Sequence, residues 1–363
     1  MAEVAGDLCG LHATDPATIF LAARARLAAE AGEVAAIERA LYDERRAVRV
    51  LGMRRTMFVV PHELVPVVFG ACTQRLVPGE RKRFVAHLEA GGVAADGEAW
   101  LRDAEAATLD ALAARGEATT AELSADVPAL RASVLVAEGK PYEARQGVAS
   151  RVLFLLSAEG RVVRGRPLGS WTSTLNRWTP IAPMELEAPE VAGVELARRW
   201  LRAFGPGTFA DLKWWTGWTV GLLKRVLAEV RPVEVELDGG ATGLVLPGDE
   251  APAGGASEPW VALLPGLDPT VMGWMERDFY LGGHRRLLFD RSGNAGATVW
   301  ADGRVVGGWA QRDDGEVVLR LLEDVGADVA AAIDAEAARL SGWFGGVRAL
   351  PRFRTPLERE LCG

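Results

Sequence analysis

Residues 48–61 read VRVLGMRRTMFVVP. Two short runs rich in Val, Leu and Phe flank a glycine and a basic turn, Met53-Arg54-Arg55, and that composition predicts two β-segments around a turn. What precedes the stretch has helical spacing. Asp15-Pro16 supplies an N-cap with proline at the first turn, and Leu21, Ala25 and Leu27-Ala28 recur at helical intervals as far as Gly32. Over 33–45, Val34, Ile37 and Leu41 share one face of a second helix. Helices followed by a hairpin make the winged-helix plan, a helix-turn-helix variant whose hairpin is the wing.

The same plan recurs further along. Over 97–180 a helix stops at Arg115-Gly116, a basic residue before a C-cap glycine. Thr119-Thr120-Ala121-Glu122 starts another helix with an acid in its first turn. A third helix lies near 146–158, and RVVRGRPLGSWTSTLNRWTPI (161–181) reads as an exposed hairpin. Over 188–247, helices near 190–204, 208–215 and 219–229 precede a strand pair, Val233–Leu237 and Gly243–Leu246. Pro247–Pro259 has no periodicity and is expected to be a linker. Beyond it, short strands are broken by Asp-Gly and Gly-Gly turns, Asp302-Gly303 being the clearest hairpin signal; a helix over 326–344 and a strand near 347–352 follow. The expected fold is α+β, with winged-helix units at 1–95, 96–183 and 184–250 and a C-terminal antiparallel β-rich domain at 258–363.

The chain has 363 residues, 49% hydrophobic and 25% charged, which excludes bulk disorder. No apolar run approaches the roughly 18–20 residues of a membrane span, and MAEVAGDLCG has no secretory pattern. A cytoplasmic protein without membrane contact is therefore expected. Net charge is −8, which by itself disfavours a polyanionic partner. Its distribution points the other way. The segments 45–83, 145–178 and 198–231 hold 22 of the 41 Lys/Arg and few acids, so one basic face is compatible with an acidic total. Solvated helices would show the same counts.

Three cysteines and four histidines, all scattered, predict neither a disulfide framework nor a metal site. There is no phosphate-binding glycine loop, dinucleotide fingerprint or nucleophile elbow, so no cofactor is expected. The first candidate cluster is Gly10–Pro16. His12 and Thr14 are two apart, and in an extended segment both face one side. His12 is suited to position or deprotonate a water, with Asp15 near enough to orient it; Asp15 as a plain N-cap is the simpler alternative. The second cluster is basic and aromatic: Arg54 and Arg55 in the first turn, then Arg161, Arg164, Arg166, Trp171 and Arg177 in the later hairpin. Such residues meet phosphates and stack on bases. Trp214, Trp215 and Trp218 fit a helix core instead. Acidic and basic residues beside short strands, around Asp268, Arg277 and Asp290–Asn294, are suited to line a cleft, but Asp-Pro and Ser-Gly-Asn are turn formers and ordinary turns are the expected reading.

Taken in order, GLHATDPAT (10–18), VLGMRRTMFVVP (50–61), VRGRPLGSWTS (163–173), DLKWWTGW (211–218), LLPGLDPTVMGW (263–274) and GRVVGGWAQ (303–311) resemble the winged-helix DNA-binding proteins related to the AlkZ and YcaQ DNA glycosylases. The resemblance covers essentially the whole chain. It implies a C-shaped molecule whose basic channel holds double-stranded, damaged DNA. It also implies monofunctional, cofactor-free hydrolysis of the N-glycosidic bond of alkylated purines, including bulky adducts and crosslinks. A monomer is expected. One departure stands out: the family's Gln-x-Gln or Gln-x-Asp pair is replaced by His12-Ala13-Thr14, with spacing kept and side-chain types changed. The resemblance then assigns water positioning to His12, helped by Thr14 or Asp15. The alternative is a winged-helix protein that binds DNA as a regulator or damage-recognition factor without catalysis.

Overall fold

Proline at the first helical position and an aspartate before it do start a helix: in the computed structural model of the chain, Asp15 Oδ1 accepts from the Ala17 amide at 3.0 Å, and the helix runs Pro16–Arg24. The structure describes residues 1–136, 139, 143–251, 258–351 and 353–362. Before this helix lie a short helix, Ala2–Asp7, which the sequence reading did not anticipate, and strand β1, Leu11–His12. The helix expected over 33–45 is regular only over Val34–Glu38 and widens into a π turn over Arg39–Asp43. Strands β2, Ala47–Leu51, and β3, Met57–Pro61, then pair antiparallel with Arg49 opposite Val59. Their connection places Arg54 and Arg55 at φ 51° and 61°, in the left-handed region that non-glycine residues rarely occupy.

The first stretch closes with the helix Val77–Ala90, and the second opens with the helix Gly97–Arg115, ended by Gly116 at φ 76°. Strand β4, Ala118–Thr119, leads into helix Thr120–Asp126, where Thr119 and Glu122 form a reciprocal capping box. Strands β5, Ser133–Val136, and β6, Ala144–Gly147, pair before helix Val148–Ala158. The hairpin follows as β7, Val162–Pro167, and β8, Asn176–Pro180. It is not free of the body. One six-stranded sheet runs β1-β3-β2-β7-β8-β4, and Arg49 faces Arg164 where the two hairpins join. Val162, Gly165 and Pro167 are buried as a result. The expected exposed hairpin is thus half interior, because β7 finds an unpaired strand edge in β2.

In the third stretch, helices Pro189–Phe204, Phe209–Thr216 and Val220–Val230 precede β9, Val233–Glu236, and β10, Thr242–Val245. Trp200, Phe204, Trp215 and Trp218 pack on Val48, Val50 and Phe58, so this stretch shares a core with the first. Trp215 and Trp218 lie in the core, whereas Trp214, expected there with them, is half-buried. Of the expected linker, residues 252–257 lie outside the described residues.

The C-terminal part is an open antiparallel sheet of four strands in chain order: β11, Val261–Leu264; β12, Thr298–Ala301; β13, Arg304–Gln311; β14, Val317–Leu321. Asp302-Gly303 makes the β12–β13 turn, and helix Ala327–Phe344 covers one face. No strand forms over 347–351, and residue 352 is outside the described set. The backbone there bonds to one side chain instead: Gln311 donates to the Val347 carbonyl at 3.0 Å and accepts from the Ala349 amide at 2.9 Å. A last helix, Pro356–Cys362, follows. Phe20, from the first helix, packs with Trp309 and Phe344 of this part in one cluster; burying one such phenyl ring contributes roughly 2–3 kcal/mol. Arg26 seals the same junction, with two hydrogen bonds of 2.9 and 2.7 Å to the fully buried Asp268. No helix among the described residues is long and apolar enough to cross a membrane.

Candidate active site

Strand β1 pairs along the free edge of β3, with Leu11 opposite Val59 and His12 opposite Phe58. The Ala13 amide continues the ladder by donating to the Met57 carbonyl at 2.8 Å. Extended backbone alternates its side chains. Leu11 and Ala13 therefore enter the interior, where neither has any exposed surface, while His12 and Thr14 line a cavity of about 320 Å³. Asp15 is at its edge, where the chain turns into the first helix.

Arg54 and Thr56, from the β2–β3 connection, line the same cavity. Its opposite wall comes from the other end of the chain: Gly266 and Leu267 after β11, Asn294–Ala297 before β12, Gln311 at the end of β13, and Phe353, Arg354 and Glu358 around the last helix. The walls are tied together by Thr18, whose hydroxyl donates to the Gly266 carbonyl at 2.8 Å.

Two of these lining residues carry an orphan polar atom: His12 Nδ1 and Thr14 Oγ1 are buried and have no hydrogen-bond partner among the described residues, an arrangement proteins avoid unless the group has another use. Burial, and after it the positive charge of Arg54, pushes the His12 imidazole down to about 3. The ring is therefore neutral at ordinary pH, with one nitrogen able to accept a proton. Phe58 holds one side of the ring, centroid to centroid 5.0 Å.

Arg54 owes its position to a left-handed backbone and to an aromatic seat. Its guanidinium stands 4.0 Å from the Trp214 ring centroid, a cation–π distance. Gly217, itself at φ 70°, lies below; a Cβ there would come within 3.3 Å of Arg54 Cγ. Burial, then Arg277, lowers the Arg54 guanidinium to about 10. Arg277 lies against the same indole at 4.8 Å and against Phe289 at 4.8 Å.

The other arginines singled out from the sequence fall into two groups. Arg164 stacks 3.7 Å from the Trp178 ring centroid and is lowered to about 10 by burial and by Arg49; Arg161 is exposed. Arg55 pairs with Glu80 at 2.6 Å, Arg166 with Glu38 and Asp43 at 2.9 and 2.8 Å, and Arg177 with Glu117 at 3.2 Å. All three guanidiniums keep exposed surface, although Glu80, the partner of Arg55, is itself buried. Trp171 is a correction. It was expected to meet bases, but it is buried against Phe20 (5.2 Å) and Trp343 (5.3 Å), because the loop after β7 folds back onto the helix Ala327–Phe344. Its ring has no face left for a base.

Some relevant residues were not anticipated. Arg83 and Arg151 join Arg55 on Glu80, giving three guanidiniums on one carboxylate. Arg49, buried in β2, donates from Nε and Nη2 to the Ala13 carbonyl, at 3.0 and 2.6 Å. Its signal was available: an arginine alternating with Val48 and Val50 must face the opposite side of the strand from the apolar core. Of the cavity's C-terminal wall, Leu267 and Asn294 lie in the stretches read from the sequence as cleft or turn. Asp290, by contrast, makes only the turn chemistry its sequence suggests, accepting from the Ser292 and Asn294 amides.

A family model, DNA glycosylase AlkZ-like, matches residues 5–343. Among solved structures, Streptomyces sahachiroi DNA glycosylase AlkZ is similar with a TM-score of 0.66 and 21% sequence identity, over 94% of this chain and 91% of that one. At that identity the likeness carries the fold alone. Among curated proteins none matches significantly.

Proposed function

Because the chain belongs to the AlkZ-like DNA glycosylase family, we propose that it excises alkylated purines from double-stranded DNA, bulky adducts or crosslinks included, as a monofunctional enzyme acting as a monomer in the cytoplasm. The observation carrying this reading is that His12 and Thr14, which line one cavity with Arg54, each bury a polar atom that has no partner among the described residues.

A water seated between His12 and Thr14 has its proton accepted by the neutral imidazole, and the Thr14 hydroxyl fixes its orientation. The water oxygen attacks C1′ of the damaged nucleotide as the C1′–N9 bond breaks, and the bonding electrons leave with the purine. An N7-alkylated purine is cationic, so it departs as a neutral base without prior protonation. Asp15 faces the sugar as that ring gains positive charge, while one carboxylate oxygen caps the first helix. The products are a free base and an abasic site in an intact strand.

Arg54 and Arg164, which form no ion pair among the described residues, take the phosphates nearest the cavity. Arg55, Arg161, Arg166 and Arg177 extend the contact along the duplex. Trp171 has no part in it.

The test is a duplex carrying a single N7-alkylguanine, incubated with protein and then treated with alkali. Strand breaks that require alkali, and that disappear with His12→Ala, are the expected outcome. Unbroken DNA with retained binding would instead favour a family member that recognises damage without removing the base.

A further inference from the structure

A buried guanidinium without a carboxylate is costly to maintain. Arg49 is 5% exposed and forms no ion pair among the described residues. Its neighbours Val48 and Val50 face the core around Trp200, whereas Arg49 spends two N–H groups on a single oxygen, the Ala13 carbonyl. Ala13 is the residue between His12 and Thr14. Its amide is already bonded to Met57, and a carbonyl oxygen has two lone pairs, so Arg49 completes the polar requirements of this peptide position.

The third donor of the guanidinium extends the chain of contacts. Nη1 donates to Asn176 Oδ1 at 2.5 Å, and Asn176 Nδ2 donates to the Thr174 carbonyl at 2.7 Å. Asn176 begins β8, directly after the loop that closes the hairpin of the second stretch.

We infer that Arg49 is a positioning residue for base excision: it locks the backbone of the His12–Thr14 stretch, and Asn176 holds it there, so that the β7–β8 hairpin and the water-binding pair keep one geometry. The inference rests on the roles given above to His12 and Thr14. With Ala13 anchored on both sides, His12 and Thr14 retain only side-chain freedom, and the water site keeps its position when DNA engages the hairpin. Neither Arg49 nor Asn176 touches the reacting atoms.

The test uses the full chain with Arg49→Met, Arg49→Lys and Asn176→Ala. Three quantities are measured: single-turnover excision, Kd for the same duplex, and amide hydrogen exchange over residues 12–14. Arg49→Met should slow excision by about 10²-fold while Kd stays within about twofold, and exchange over 12–14 should accelerate while the centres of β2 and β3 stay protected. Arg49→Lys keeps the charge but loses the two-pronged contact, and Asn176→Ala loosens the guanidinium; both should be slowed to a smaller extent. Should Arg49→Met fail to fold, those two variants decide by the same measurements. Unchanged excision, a fall in affinity matching the fall in rate, or unaltered exchange over 12–14 overturns the inference. A wild-type protein that leaves alkylated duplex intact refutes the proposed reaction instead, and the exchange measurement still decides whether Arg49 locks the stretch.

Discussion

The guanidinium of Arg54 lies 4.0 Å from the centre of the Trp214 ring, joining the β2–β3 connection to the helix Phe209–Thr216. A stacked arginine keeps its N–H edge free for a phosphate while its flat face is held by the ring. Arg277 on the same indole adds a second positive charge, and the two cations close to each other are relieved when an anion arrives.

Arg54→Ala should therefore weaken binding to any duplex, damaged or not, and lower the slope of log affinity against log salt by about 1. Titrations at several salt concentrations measure this. An unchanged slope would remove Arg54 from the phosphate contacts.

His12 is held neutral down to about pH 3, chiefly by burial. The imidazole must be unprotonated to accept a proton, so the excision rate should be flat between about pH 5 and about pH 8, with no limb near the ordinary histidine value. The same depression links to stability. The unfolded chain protonates His12 near 6.5 and the folded chain does not, so stability falls as pH drops below that value. His12→Gln should remove this component from acid unfolding curves.

A carboxylate cluster in the second stretch behaves in the opposite sense. Glu105 is raised to about 7 by burial, with Glu159 adding to it, although Arg81 bridges both. Its folded form holds a proton that the unfolded form has lost, so this contribution to stability is present at low pH and disappears as pH rises towards 7. Glu105→Gln should narrow the difference between melting temperatures measured at about pH 5.5 and about pH 8. A variant with the same pH dependence as the parent would contradict the assignment.

Trp171 offers a check on the corrected role. Trp171→Ala should destabilise by about 3–5 kcal/mol in urea unfolding, as a large aromatic removed from a core does. Trp171→Leu, measured under conditions where it stays folded, should bind DNA like the parent, which a base-stacking tryptophan would not permit.

Much of this architecture is legible locally. Runs rich in Val, Leu and Phe on either side of Gly52 and its basic turn mark β2 and β3, Thr119 and Glu122 mark a helix start, and the two-residue spacing of His12 and Thr14 brings both to one cavity. What escaped has physical reasons. Trp171 belongs to a residue type equally at home in a core or at a wet interface, so composition alone did not place it. The joining of β2 to β7 is a contact between distant segments, with no local pattern to announce it. The strand expected near 347–352 fails because Gln311 supplies the partners that a neighbouring strand would have supplied. One omission was avoidable: Thr355-Pro356-Leu357-Glu358 carries a capping signature, and Glu358 does accept from the Thr355 amide at 2.6 Å.

The cavity's two walls come from residues 12–56 and 265–362. During synthesis the first wall leaves the ribosome long before the second exists. A growing chain can thus build its basic hairpins and bind DNA while its reaction chamber still lacks one side. The chamber is complete only once the final helix, held by Glu358, has joined its second wall. Premature release short of that point would yield a protein that occupies lesions and cannot clear them.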